Sequence, residues 1–188
     1  MKQALIAIDI QESFRLRPYW DDRELPSFLR TTQGLVDACA ARGIPILQVF
    51  HLSETDDPAD PFSPSAGLAR TLAGLSIQPT ETFHKTVHSA LYARDAQGGT
   101  LQDWLVRNGI EEVIICGIRT EQCCETTARH ASDAGFQVRY ALDATLTFAM
   151  QSPSSGRRYT PQEIKAHTEL VLAGRFAKVL PAAQALAG

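Results

Sequence analysis

The 188-residue chain contains no apolar stretch approaching the roughly 20 residues that span a bilayer. Its opening, M-K-Q-A-L-I-A-I-D-I, places Asp9 where a secretory leader needs unbroken apolarity. These absences predict a soluble cytoplasmic protein with no membrane partner. Cysteine is scarce, at positions 39, 116, 123 and 124 only, and no two form a C-x-x-C pair. A disulfide framework is thereby excluded, and a structural zinc site has no ligand pattern to rest on. Long runs of one charge are also missing. With 18 basic and 21 acidic residues the net charge is -3, which leaves no nucleic-acid footprint. No G-x-G-x-x-G follows an apolar run, and there is no G-x-x-x-x-G-K, so neither a dinucleotide nor a phosphate-cradling loop is expected. The expectation is an apoprotein: no cofactor and no metal.

What the chain does have is alternation. Short apolar runs at 3–10, 45–51, 82–87, 113–116, 136–142 and 176–180 read as strands. Between them lie segments of helical period. One starts at Pro26 with Phe28, Leu29, Thr32, Leu35, Val36 and Cys39 on one face and Gly43 as its terminator; others are capped by Thr100 and by Thr160-Pro-Gln-Glu163. A short amphipathic helix is expected over 67–75. Residues 11–25, 52–64 and 149–159 read as irregular, the second as an acidic surface loop left to solvent. The pattern predicts one domain over 1–188, a three-layer α/β/α architecture with a mostly parallel central sheet.

Three chemistry-bearing residues fall at strand ends, where open α/β sheets gather their ligands. Asp9 follows the first strand; it could work in a site or simply bond nearby backbone. Lys85 ends the third strand, where it could stabilise a thiolate or be solvated. Cys123 follows the fourth strand in V-I-I-C-G-I-R-T-E-Q-C-C-E. With Thr120 as N-cap, Cys123 becomes the third residue of a helix, where the macrodipole should lower its pKa. Cys124 shares the small apolar stripe of Ala128 and Ala131 and reads as core, whereas Cys123 aligns with Thr127 and His130 on a more polar face. His51 at the end of the second strand could line a site or act as scaffold.

The segments A-L-I-A-I-D-I-Q (4–11), K-T-V-H-S-A-L-Y (85–92) and G-I-R-T-E-Q-C-C-E-T-T-A-R-H-A-S-D-A-G (117–135) together resemble the isochorismatase-like cysteine hydrolases, the superfamily of nicotinamidases and N-carbamoylsarcosine amidohydrolases. The resemblance implies a Rossmann-like hydrolase fold and a catalytic triad of Asp9, Lys85 and Cys123. It implies carbon–nitrogen bond cleavage in a small amide, ureide or carbamoyl compound through a thioester. It also implies a cis peptide between Ile118 and Arg119, with the backbone N–H groups of Arg119 and Cys123 as oxyanion hole. Gln11, Phe14, Trp20, His51, Tyr92 and Thr120 are the candidates for substrate contact. A homo-oligomer, dimer or larger, is the implied assembly. The nicotinamidase Asp-x-His metal pair is missing after the second strand, where the chain reads V-F-H-L-S-E-T-D-D-P. Arg119 stands where small residues are common, and would suit either an acidic substrate or an ion pair with Glu121 or Asp143. Two other functions remain open on the sequence: a vinyl-ether hydrolase of the isochorismate type, and a non-enzymatic thiol sensor cycling Cys123 with Cys124.

Overall fold

The computed structural model describes residues 1–187. Six parallel strands form the central sheet in the order β3-β2-β1-β4-β5-β8. They are β1 (Gln3–Ile8), β2 (Ile46–His51), β3 (Glu81–Lys85), β4 (Glu112–Ile118), β5 (Gln137–Leu146) and β8 (Lys178–Leu180). Helices α1 (Leu25–Ala41), α2 (Leu101–Arg107), α3 (Glu125–Asp133) and α4 (Pro161–Leu172) supply the outer layers, and β6 (Met150–Gln151) pairs with β7 (Arg158–Tyr159) in a separate antiparallel hairpin. No helix among the described residues is long and apolar enough to cross a membrane.

The period of two along each strand sorts the side chains into two cores. Leu5, Ala7, Ile114, Cys116 and Ile118 join Phe28, Leu35, Val36 and Cys39 of α1 on one face. Ala4, Ile6, Ile8, Val113 and Ile115 face the other way, onto Leu101 and Leu105 of α2, Ala128 and Ala131 of α3, and Cys124 just before α3. Burying each large aliphatic side chain contributes about 1.5–3 kcal/mol, so both layers are anchored to strands that are apolar on both faces. Cys39 and Cys124 are fully buried, as their helical registers predict.

The chain lays down β1, β2 and β3 outward on one side, then returns to place β4 against the other side of β1. That reversal opens a crevice at the carboxyl ends of β1 and β4, the position at which doubly wound sheets bind ligands. The close approach of these two strands depends on Gly117, whose φ is +139°; a Cβ there would lie 2.0 Å from the Ile8 carbonyl oxygen.

Several boundaries differ from expectation. The first strand stops at Ile8 because Asp9 turns into the left-handed region at φ 52°, which Asp tolerates better than most residues. No helix forms over 67–75; a 3₁₀ turn at Pro64–Ala66 is followed by irregular chain, with Leu72 buried in the core. β5 runs past Asp143 to Leu146, and the 149–159 segment holds the β6–β7 hairpin. Within 11–25 a 3₁₀ turn covers Glu12–Leu16.

Candidate active site

Asp9, Lys85 and Cys123 meet in the crevice although 76 and 38 residues separate Lys85 from the other two. Lys85 Nζ donates to Asp9 Oδ2 at 2.7 Å, with both side chains completely buried, and lies 3.5 Å from Cys123 Sγ. Its third contact is His51 Nδ1 at 3.2 Å, made because His51 and Lys85 are register partners on β2 and β3. An ammonium has three donors and no acceptor, so His51 Nδ1 must be the acceptor and the imidazole neutral. Burial, followed by the Lys85 charge, holds the His51 pKa below its ordinary value, in agreement with a neutral ring. Burial alone would lower the Lys85 pKa; Asp9 and the Cys123 sulfur outweigh it and hold the ammonium charged.

The other Asp9 oxygen, Oδ1, is buried and has no hydrogen-bond partner. Such an acceptor is costly unless something uses it, since an unmet buried polar atom costs about 1–3 kcal/mol. The φ of 52° and two backbone bonds, Asp9 N–H to the Val49 carbonyl (2.8 Å) and Gln11 N–H to the Asp9 carbonyl (2.9 Å), fix the carboxylate in this position.

Cys123 is 8% exposed. The turn that presents it is not the expected N-capped α-helix: Thr120–Cys124 is one π-helical turn leading directly into α3, with Arg119 as its flanking residue and no side-chain cap. Wide π turns recur at functional sites because they re-aim single side chains. The Thr120 hydroxyl, rather than capping, meets the Thr145 hydroxyl at 2.7 Å, and the Tyr140 hydroxyl donates to the Thr120 carbonyl at 2.7 Å. One turn further on, the Thr127 hydroxyl donates to the Cys123 carbonyl at 2.6 Å and accepts from Ala90 N–H at 2.9 Å. The Ile118–Arg119 peptide is cis.

The expected fall in the Cys123 pKa is not found. Burial first, then the Asp9 charge, push the thiol up to about 12 against the opposing pull of Lys85. Desolvation by the surrounding core, with the Asp9 charge beside it, therefore outweighs the neighbouring ammonium and favours the thiol form.

A cavity of about 160 Å³ lies over Cys123 and Asp9. Phe14 and His51 line it, as the sequence proposed; Tyr19, Arg17, Phe62 and Gln122 also line it and were not singled out there. Ser53 and His88 complete the wall. Arg17 and Tyr19 lie in the long irregular segment 11–25 and Phe62 in the acidic segment 52–64, whose composition cannot say which side chain points inward; Gln122 lies in the turn that carries Cys123. Trp20 is not on the wall; it is partly buried against the core, with its ring 5.1 Å from Phe148. Tyr92 is exposed and packs on His130, outside the cavity. Gln11 is fully buried and braces rather than lines: its amide donates to Ser13 Oγ and the His51 carbonyl and accepts from His51 N–H. Arg119 pairs with Glu121 at 2.7 Å, not with Asp143, and Glu121 also accepts from the Thr147 hydroxyl. The acidic loop is not simply solvated, for Asp60 accepts from Ser53 and Arg17 on the cavity wall. No group of three His, Cys, Asp or Glu side chains poised for a metal ion occurs among the described residues.

Residues 3–158 match the family model of the isochorismatase domain. The chain belongs to the isochorismatase family. Among similar proteins is Nicotinamidase 3 of Arabidopsis thaliana, 29% identical over 157 residues, covering 77% of this chain and 73% of the relative. Streptothricin hydrolase of Streptomyces noursei is 23% identical over 98% of this chain and 70% of its own length. An isochorismatase-family crystal structure from Chromobacterium violaceum superposes with a TM-score of 0.82 at 29% identity, covering 97% of this chain and 90% of that one. The isochorismatase-family fold thus extends beyond the matched domain to the strand and helix that follow it.

Proposed function

We propose that the chain is a cysteine hydrolase that cleaves a carbon–nitrogen bond of a small amide, ureide or carbamoyl compound by way of a thioester on Cys123. The observation that carries this reading is the buried, unpartnered Asp9 Oδ1 beside a thiol that burial keeps protonated. A thiol with a pKa near 12 is a weak nucleophile at neutral pH unless its proton leaves as it attacks, and a fixed carboxylate in the same site is the base for that proton. Relatives named nicotinamidase and streptothricin hydrolase support the amide-bond class.

In this mechanism Asp9 takes the thiol proton as the sulfur attacks the carbonyl carbon. The carbon–sulfur bond forms and the carbonyl electron pair moves onto oxygen. The backbone N–H groups of Arg119 and Cys123 are the proposed donors to that oxygen, each worth about 3 kcal/mol in the transition state. Collapse breaks the carbon–nitrogen bond, and the amine or ammonia leaves with the proton returned by Asp9. Water then loses a proton to Asp9 and adds to the thioester, the carbon–sulfur bond breaks, and acid and thiol are regenerated. Lys85 stays an ammonium throughout, offsetting whichever of Asp9 or the sulfur is negative. A sensor cycling two thiols gains no support, because Cys124 is fully buried in the core.

The test is ammonia release from a panel of small amides and carbamoyl compounds, with Cys123→Ala as blank. Turnover that disappears in Cys123→Ala is expected; full turnover of an identified substrate by that variant would overturn the mechanism.

A further inference from the structure

The cavity over Cys123 admits only a compact molecule, and its wall carries a cation whose donors are mostly unspent. Of the two arginines near the site, Arg119 is buried beside Glu121 at 2.7 Å and does not line the cavity. Arg17 is held more loosely. Its side chain is 37% exposed and touches Asp60 through one contact, Nη2 to Oδ1 at 3.4 Å. Asp60 is meanwhile engaged by the Ser53 hydroxyl and the Phe62 N–H. The Arg17 guanidinium lies over the Phe62 ring at 4.7 Å. A guanidinium stacked on a ring keeps its edge donors free, and five N–H groups form a fork shaped for a carboxylate. Asp9, the one carboxylate on the cavity wall, is already paired with Lys85.

Resting on the amide-hydrolase reading, we propose that Arg17 is a specificity-determining residue, and that the substrate is a small amide or ureide carrying a carboxylate that docks on the Arg17 fork while its carbonyl sits over Cys123. Phe62 sets the plane of the fork and Asp60 tethers it at the rim. Of the two uses open to Arg119, an ion pair or an acidic substrate, it makes the ion pair with Glu121, and the charge for the substrate is supplied from the loop after β1.

The experiment uses two alkylating agents of nearly equal size, iodoacetate and iodoacetamide, each transferring its CH2 group to the Cys123 sulfur with loss of iodide and the thiol proton. Second-order rates of Cys123 labelling are followed by mass spectrometry in the full chain. Arg17→Gln is expected to lower the iodoacetate-to-iodoacetamide rate ratio by about tenfold, the scale of one charge-assisted hydrogen-bonded contact. Arg17→Lys, which keeps the charge, is expected to retain the greater part of the ratio. A ratio unchanged in Arg17→Gln overturns the proposal. In the amide panel, carboxylated amides are expected to show lower KM than neutral ones of equal size, with the advantage lost in Arg17→Gln. Ammonia release confined to neutral amides overturns the Arg17 assignment and leaves the hydrolase intact; an Arg17-dependent ratio with no ammonia release from any amide overturns the hydrolase reading and leaves the anion site.

Discussion

The sheet carries a buried ion pair at each end, and the two differ in how their carboxylates are engaged. At the amino end Arg139 Nε meets Glu112 Oε1 at 2.8 Å, the second Glu112 oxygen accepts from Gln3, and Arg139 Nη1 donates to the Ala185 and Ala187 carbonyls. Both carboxylate oxygens are occupied, and the pair staples β1, β4, β5 and the carboxyl-terminal segment together. At the other end, Lys85 occupies one oxygen of Asp9 and leaves Oδ1 open beside a thiol. Desolvating an ion pair is costly in either place; both Glu112 oxygens are engaged at the amino end, whereas Asp9 leaves one oxygen open. An acceptor left open in the interior suits the proton transfer proposed for Asp9, and a structural staple has no use for it.

The sharpest way to break the comparison is to neutralise each carboxylate in turn. Asp9→Asn should lower kcat by about 10³-fold or more while the protein still folds, because the amide cannot accept the proton. Glu112→Gln should leave the rate within severalfold. If ammonia-release kinetics show the two variants equally impaired, the functional distinction between the ends fails. Thermal unfolding should rank them the other way when the staple is fully removed. Glu112→Ala leaves Arg139 buried without its partner and should cost about 3 kcal/mol, a fall in Tm on the order of 10 °C.

Smaller effects sharpen the same contrast. Gly117→Ala puts a methyl group 2.0 Å from the Ile8 carbonyl at a φ of +139°, so β1 and β4 must separate beside Asp9. A loss of about 2 kcal/mol is expected by denaturant titration, together with a drop in kcat, since the displaced backbone leads directly to Asp9. Tyr140→Phe removes the donor to the Thr120 carbonyl and should cost about 1 kcal/mol. The smallest effect is a pH dependence confined to the site end. His51 has a folded pKa below its ordinary 6.5, chiefly through burial, so the unfolded chain binds its proton more readily. Its contribution to stability is complete above pH 6.5 and is lost as pH falls from 6.5 through the lower folded value. The slope of Tm against pH between 7 and 5 should therefore be shallower in His51→Gln, with burial-depressed His84 accounting for part of the slope that remains.

Strand and helix periods were legible because they are local. Leu5 and Ala7 alternate with Ile6 and Ile8 in the sequence as they do across the sheet, and the capping boxes at Thr100–Asp103 and Thr160–Glu163 form between neighbours in the chain. Asp9, Lys85 and Cys123 could be singled out because each interrupts or follows an apolar run where the topology gathers strand ends. What failed was orientation. Tyr19 and Trp20 are adjacent, both aromatic and both packed on Phe148, at 5.3 and 5.1 Å, yet only Tyr19 reaches the cavity wall; composition cannot distinguish them. Arg119 had several partners of suitable charge, and the fold selected Glu121.

The alternation of strands and helices and the two-faced core were thus written in the sequence, because they follow from periodicity over a few positions; Asp9, Lys85 and Cys123 were marked there as candidates by their places at strand ends and by the family resemblance. The protonation of Cys123, the open oxygen of Asp9 and the choice of Arg17 over Arg119 at the cavity wall were decided only by the tertiary structure. Each depends on how much water is excluded and which charges stand within a few ångströms, and those distances are set between residues far apart in the chain.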